Sequence, residues 1–437
     1  MQTVYDAIVV GSGPGGATVA RGLSRAGKTV LLLEKGRDHQ NLGTYAGALS
    51  IVEKAGFFKS QEGVAMLMAS STGGATTVYS GSAAMPPTWL KQRYGIDLTP
   101  YAEETWKELK AAPLPDALLG DASRHIMETA NHLGYDWTPT PKLFDLDKVK
   151  TGGSCGATTS LGCTCGAKWT AREYIKEAVT HGTHLITQAE CTEVLVENNR
   201  ATGIRAKIAG QEIQELRAEK IILAAGGIPS PGLLLKAGVE NAGKSCVIDP
   251  TVLLYGISPV KGSCTDPLVS VDTWEFCDSH GVRMGTLIDP RLMTLISLGK
   301  TGLRHLPKGF HYDRMVGILI KIKDNPGGWV DIDGKVSKAL TEADFEKLAM
   351  GKTIAEEILT ASGCPPSSIV ASPVRGAHPS GTCGIGTVVD TTLETEIKNL
   401  FVCDASVFPE ALDRPTVITL ISFGKRLVQH LINGEKA

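Results

Sequence analysis

Three sets of residues have types and spacings that could do chemistry. Gly11, Gly13 and Gly16 form the pattern G-x-G-x-x-G, and Glu34 follows the last of them by eighteen positions. Such glycines permit a tight turn, close approach of a pyrophosphate, and close packing of a helix on a strand. The helix that follows offers free N–H groups and the positive end of its dipole to phosphate. Glu34 is expected to accept hydrogen bonds from an adenosine ribose. The motif predicts a dinucleotide site and does not separate FAD from NAD. The second candidate is His378, inside the Gly-rich stretch GAHPSGTCGIG. A histidine titrates in the range needed to take a hydroxyl proton at neutral pH. The bland alternative is a buried histidine that orders its loop. The third set is Cys155, Cys163 and Cys165, close together in another Gly-rich stretch. They could hold a metal with a fourth ligand or form a redox pair. They lack the C-x-x-C spacing of structural zinc and iron–sulfur sites, so small packing residues are expected and no metal.

The elements that must position these residues are legible in outline. Residues 4–10 are a continuous apolar run before the glycine turn and predict a buried strand. A helix over 17–26 and a second strand over 29–34 complete a βαβ unit. Residues 41–82 are rich in Gly, Ala and Ser around Gly73-Gly74, and predict loops and short helices beside a ligand. Helices are expected near 100–111 and 122–133. Thr170 and Glu173 suggest a capping box opening a helix that Gly182 closes. Residues 184–225 predict short strands, the last ending at Ala225 and Gly226, where a backbone approach is expected. From 246 to 337 the strands are of mixed polarity, which predicts an antiparallel sheet with one wet face. A helix is expected over 342–362, and a final one from about 415 to 432.

Composition excludes several classes. Hydrophobic residues make up 42% and charged residues 21% of the 437, an ordinary globular mix. The net charge of -2 gives no field that would draw nucleic acid or an acidic surface. No apolar run is long enough to span a bilayer. The N-terminus enters a strand at once, so no targeting peptide is expected. Ten cysteines then suggest a reducing, cytoplasmic setting.

The sequence resembles the glucose-methanol-choline (GMC) oxidoreductase family nearly end to end. Gly226-Gly-Ile-Pro-Ser230-Pro231-Gly-Leu-Leu resembles its second glycine signature, although Ala is usual where Gly227 stands. The Gly73-Gly74 loop resembles the segment that runs beside the flavin. Gly162-Cys163-Thr-Cys165-Gly166-Ala167-Lys168 resembles a stretch of the sterol and long-chain alcohol branches. The tail is the most specific part: His378-Pro-Ser-Gly-Thr-Cys, Val389-Asp390, then Asn399-Leu-Phe-Val-Cys-Asp404-Ala-Ser-Val-Phe-Pro409.

The resemblance implies FAD as cofactor, with Gly73, Gly74, Cys191, Ala225, Gly226 and Asp404 among the residues around it. Cys191 falls where the family's backbone meets the adenine. Some members carry a histidine in the flavin loop that bonds covalently to the cofactor. Here the loop reads Ala75-Thr-Thr-Val-Tyr79-Ser, so non-covalent FAD is expected. The last helix is expected to start beneath the flavin pyrimidine, with Pro415 at its first position and the Thr416 N–H as donor. His378 matches the family's active-site histidine. The second active-site position, usually His or Asn, falls on Arg414. An arginine cannot serve as a base, but it can hold a carboxylate or stabilise an oxyanion. A nearby cation would also favour neutral His378. The alternative is a surface arginine near the helix start.

These readings predict an α/β protein: a Rossmann-type FAD-binding domain with an inserted α+β substrate domain built on an antiparallel sheet. The cofactor domain is expected over 1–84, 151–245 and 376–437, and the substrate domain over 85–150 and 246–375. The expected reaction is hydride transfer between an alcohol carbon and flavin N5, with His378 as base and Arg414 stabilising an oxyanion. One rival is a reductase, desaturase or isomerase acting on C=C bonds through an enolate. Another is a flavin electron-transfer subunit without turnover. The expected partners are a small-molecule substrate, hydrophobic or carboxylate-bearing, and an electron acceptor of unspecified kind.

Overall fold

The computed structural model describes residues 4–52, 58–149 and 156–434. In chain order the elements used below are β1 (Val4–Val10), α1 (Pro14–Arg25), β2 (Val30–Glu34), α2 (Thr99–Glu108) and α3 (Asp121–His132). There follow β3 (His184–Thr187), β4 (Ala189–Glu197), β5 (Arg200–Ile208) and β6 (Ile213–Leu223). Next come β7 (Pro250–Ile257), β8 (Val271–Thr273), β9 (Val282–Thr286), α4 (Arg291–Thr301) and β10 (Met315–Ile322). The chain ends with α5 (Glu342–Ala361), β11 (Leu400–Val402) and α6 (Val417–Asn433).

The first sheet has a parallel heart, β3-β2-β1-β6, with β11 added along β6. Its strands are apolar runs because both faces are covered; all five residues of β2 are buried. Val10 sits opposite both Leu33 and Leu223, so β1, β2 and β6 end together. Parallel sheets bind ligands in the crevice beyond such ends. β4, β5 and the first half of β6 form an antiparallel meander at one edge. Helix α6 lies on α1 through glycines. A Cβ on Gly424 would stand 2.8 Å from Thr18, and one on Gly22 would stand 2.7 Å from Val428.

The second sheet runs β7-β10-β9-β8 antiparallel. Residues 370–371 and 375–376 extend it beside β7, with 65–66 beyond them, and 138–139 pair with β8. The expected wet face does not exist. Seven of eight residues are buried in β7, and seven of eight in β10. One face, with Val252, Leu254, Ile318 and Ile320, packs under α3 and α5. The other carries the polar residues, and these are paired inside the protein instead of solvated. Polar residues on a strand therefore misled the reading, because ion pairing inside a protein leaves the same alternation as water does.

Two helix starts also differ from expectation. The helix at Arg172–Thr180 has no side-chain cap; Ala171 is already in right-handed helical geometry and holds the cap position. Thr170 is one residue too early, and meets Glu173 only through its backbone carbonyl. At the C-terminus Thr416 holds the cap position and α6 begins at Val417, so Pro415 precedes the helix instead of opening it. The capping at Thr341 does form, with Asp344 reciprocating. No helix among the described residues is long and apolar enough to cross a membrane.

Candidate functional site

The glycine turn after β1 is built by backbone contact. Gly11 has φ +104°, and a Cβ there would stand 2.2 Å from the Ala224 carbonyl oxygen. A Cβ on Gly16 would stand 2.1 Å from the Gly11 oxygen. Gly13 differs: its Cβ would meet nothing within 4 Å. The Gly73-Gly74 turn closes over this loop, and a Cβ on Gly74 would come 2.9 Å from Gly13 Cα. The Gly73 N–H donates to Ser12 Oγ at 3.1 Å. The Ser12 N–H in turn donates to Glu34 Oε2 at 3.1 Å, while the Gly36 N–H donates to Oε1 at 2.7 Å. Glu34 is thus fixed at the end of β2, beside the turn, where a ribose would meet it.

The second glycine signature stands opposite. Gly226, next to Ala225, has φ +99° and open space where its Cβ would be. Its N–H donates to Asp404 Oδ2 at 2.8 Å, and Asp404 Oδ1 accepts from the Ser406 N–H at 2.8 Å. Asp404 therefore ties this turn to the segment after β11. Gly227, where Ala is usual, has a local reason: a Cβ there would stand 2.0 Å from the Pro379 oxygen. That glycine lets the His378 loop sit against the nucleotide crevice. Cys191 stands at a break in register between β4 and β5, and burial pushes its thiol up to about 12. It is an unreactive thiol at a point where the backbone leaves the ladder. A cradle of tight backbone turns with open space only at Gly13 and Gly226 fits a dinucleotide such as FAD.

The flavin-loop candidate is clamped from below. Lys168, buried, donates from Nζ to the carbonyls of Tyr79 at 2.7 Å and Thr159 at 3.1 Å. The Tyr79 hydroxyl donates to the Trp169 carbonyl at 2.7 Å. Cys163 and Cys165 stand nearby with sulfurs 3.6 Å apart, and Cys155 lies outside the described residues. No cluster of three or more metal-ligating side chains occurs among the described residues.

The reaction end centres on His378. Its Nδ1 lies 2.8 Å from Asp249 Oδ2 and 2.7 Å from Lys321 Nζ, and these two are 2.8 Å apart. Asp249 and Lys321 are almost wholly enclosed, while a third of the His378 side chain is open. Arg375 is open to the same degree. These two side chains are the accessible members of a cluster whose carboxylate and ammonium are enclosed. Burial and the Lys321 charge lower the His378 pKa against the pull of Asp249, which keeps the ring neutral at pH 7. Burial also lowers Lys321, and Asp249 restrains that fall. Burial would raise Asp249, but Lys321 and His378 outweigh it and its pKa is lowered. One carboxylate and one ammonium balance, and a second buried cation would be costly.

Asp249 is itself held in place. Its backbone is left-handed, φ +49°, and its N–H donates to Asp324 Oδ1 at 3.1 Å. Asp324 pairs with Lys338 at 2.9 Å, and burial raises it to about 6 against that partner. Across the sheet, Arg375, Thr251, Lys321 and Arg283 stand in one row. Its three cations each have an aspartate: Asp289 for Arg375, Asp249 for Lys321, and Asp272 for Arg283.

Arg414 is mostly enclosed, and its Nε donates to Asp413 Oδ1 at 2.7 Å. Its guanidinium lies 5.6 Å over the Trp274 ring. Asp413, also left-handed at φ +59°, is thus its standing counter-ion. The cation that touches His378 is Lys321. Sequence reading missed Asp249 and Lys321. The available signal was a lysine inside the apolar run MVGILIKI, on the same strand face as Gly317 and Leu319.

Comparison with known proteins agrees with this architecture. The profile of the family described as GMC oxidoreductase matches residues 48–251 and again residues 339–424. A profile described as NAD(P)-binding Rossmann-like domain matches residues 9–43. An uncharacterized protein of Methanocaldococcus jannaschii is 29% identical over 98% of this chain and 100% of its own length. An uncharacterized GMC-type oxidoreductase of Mycobacterium tuberculosis is 26% identical over 93% of this chain and 72% of its own length. A long-chain-alcohol oxidase of Arabidopsis thaliana is 23% identical over 95% of this chain and 66% of its own length. The chain belongs to the GMC oxidoreductase family and is a flavin-dependent oxidoreductase whose cofactor is FAD.

Proposed function

We propose that the enzyme oxidises an alcohol, with His378 accepting the hydroxyl proton as the carbon-bound hydrogen leaves as hydride. FAD, when bound, supplies the acceptor for that hydride. The observation that carries the reading is a neutral histidine, one third of its side chain accessible, held against Asp249 and Lys321. In the tautomer whose Nδ1–H donates to Asp249 Oδ2, Lys321 bonds that carboxylate and not the ring, and the Nε2 lone pair is free to take the substrate proton. Asp249 is a positioning residue that selects the Nδ1–H tautomer, and Lys321 is a positioning residue whose charge disfavours a second cation on the ring. Arg414, held by Asp413, stabilises the developing oxyanion. The parallel sheet serves the cofactor and the antiparallel sheet serves the substrate. The flavin loop over 75–80 contains no histidine, and FAD is held without a covalent bond. The alcohol class is supported by the Arabidopsis relatives, which are named long-chain-alcohol oxidases.

The test is anaerobic mixing of the oxidised enzyme with a panel of primary and secondary alcohols, following flavin bleaching. Bleaching by an alcohol, with the matching carbonyl formed, supports the proposal. If no alcohol bleaches the flavin while the reduced enzyme turns over enones, the proposal fails and the C=C reading replaces it.

A further inference from the structure

A helical hairpin stands beside the substrate sheet. Its first arm is α4 and its second is the run of 3-10 turns at Leu303–Arg314. Its root is firm: Leu298 and Tyr312 pack with Leu253 and Tyr255 of β7. The Tyr312 hydroxyl donates to the Asp289 carbonyl at 2.8 Å, and the Asp289 carboxylate pairs with Arg375 at 3.0 Å. Its outward side is the reverse. Leu303 is 78% exposed and Phe310 83%, and Leu292, Met293 and Ile296 on the outer face of α4 are exposed as well. Between the arms lies a groove of about 410 Å³ whose lining includes Leu295, Leu306 and Pro307. Scattered exposed apolar residues need no explanation, but Leu295, Leu303, Leu306, Pro307 and Phe310 line one groove, and a contiguous patch of this kind marks a contact surface.

Charge selects the occupant. From Arg291 to Arg314 the hairpin carries Arg291, Lys300, Arg304, Lys308 and Arg314 against one acid, Asp313, in a chain whose net charge is -2. Docking on a second copy about a two-fold axis would set five cations against their own copies, with the single acid Asp313 to meet them. Protruding apolar side chains within a basic collar match a bilayer surface with anionic headgroups. We propose that this hairpin docks the enzyme on an anionic lipid membrane, with Leu303 and Phe310 entering the acyl boundary and the basic residues meeting headgroups. Through Asp289 and Arg375 the docked face adjoins the row that runs by Thr251 to Lys321, which touches His378. The inference stands whatever alcohol is oxidised.

The test is flotation of the FAD-loaded enzyme with vesicles of phosphatidylcholine alone, or of phosphatidylcholine and phosphatidylglycerol in equal parts. The enzyme should float with the mixed vesicles at low salt and detach at high salt. Each basic residue neutralised, as in Lys300→Gln or Arg304→Gln, should lower partitioning about fivefold. Leu303→Asp with Phe310→Asp should abolish flotation while FAD content and oligomeric mass stay unchanged. The proposal is overturned if the enzyme floats with neither vesicle, or if the double variant floats as the parent does. It is also overturned if the double variant halves the oligomeric mass, which would assign the face to a second copy.

Discussion

The His378 ring and the Lys321 ammonium lie against each other, with Nδ1 2.7 Å from Nζ, and they share one carboxylate, Asp249. Two groups that compete for one counter-ion are not both charged in a buried site at modest cost. The cluster therefore keeps lysine as its cation and histidine as its base.

Replacing Lys321 should move the pH dependence. With Lys321→Gln, Asp249 faces His378 alone, and the His378 pKa should rise. The acidic limb of flavin reduction should then move to higher pH by about one unit or more. Lys321→Arg should leave the limb near the parent position. A merely structural lysine would lower the amount of folded enzyme and leave the limb where it was.

The same shift makes a stability prediction. The folded pKa of His378 lies below its ordinary value near 6.5. Below that ordinary value the unfolded chain binds a proton that the folded protein resists. The stabilisation is complete above about pH 6.5 and is lost as pH falls through the folded pKa. His378→Gln should flatten this part of the melting-temperature profile, measured on the cofactor-free protein.

Gly13 and Gly11 should separate folding from cofactor binding. Gly13 has ordinary φ of -64° and open space at its Cβ. Gly13→Ala should fold normally and lose FAD, because the methyl enters the space of the pyrophosphate. Gly11→Ala sets a Cβ 2.2 Å from the Ala224 oxygen at φ +104°, and should impair folding itself. Melting of the apo proteins and flavin content of the purified ones distinguish the two outcomes.

Arg414 is enclosed and paired with Asp413, which is itself buried. Arg414→Ala leaves that carboxylate unpaired and should cost about 3–5 kcal/mol of stability. Arg414→Lys should recover most of the stability but little of the flavin reduction rate, because the planar fork is lost. If Lys restores the rate in full, only charge matters at this position.

The parts legible in the sequence were local. The turn from Gly11 to Gly16 and the acid at Glu34 lie within one βαβ unit, and their spacing encodes their geometry. The helix ending at Ala361 was readable from Thr341 and Gly363 at its ends. The reaction end was only half legible. His378 stood out because its loop is rich in glycine, but Lys321 lies 57 residues from it and Asp249 lies 129. Nothing local to either names its partner. Lys321 and Arg283 look like the polar side of a half-wet strand, and only the fold shows that they face inward with Asp249 and Asp272. Arg414 was placed by counting along the chain. Counting does not show that Asp413 holds it, or that Lys321 is the cation in contact with His378.

The central claim is that His378 is the base for oxidation of the substrate. Its most direct test is single-turnover flavin reduction by the best alcohol, measured anaerobically for the parent and for His378→Ala at matched FAD content. A positioned base contributes about 10²–10⁴-fold, so the variant should bind FAD and bleach slower by that factor. A variant that retains FAD and bleaches at the parent rate would contradict the account.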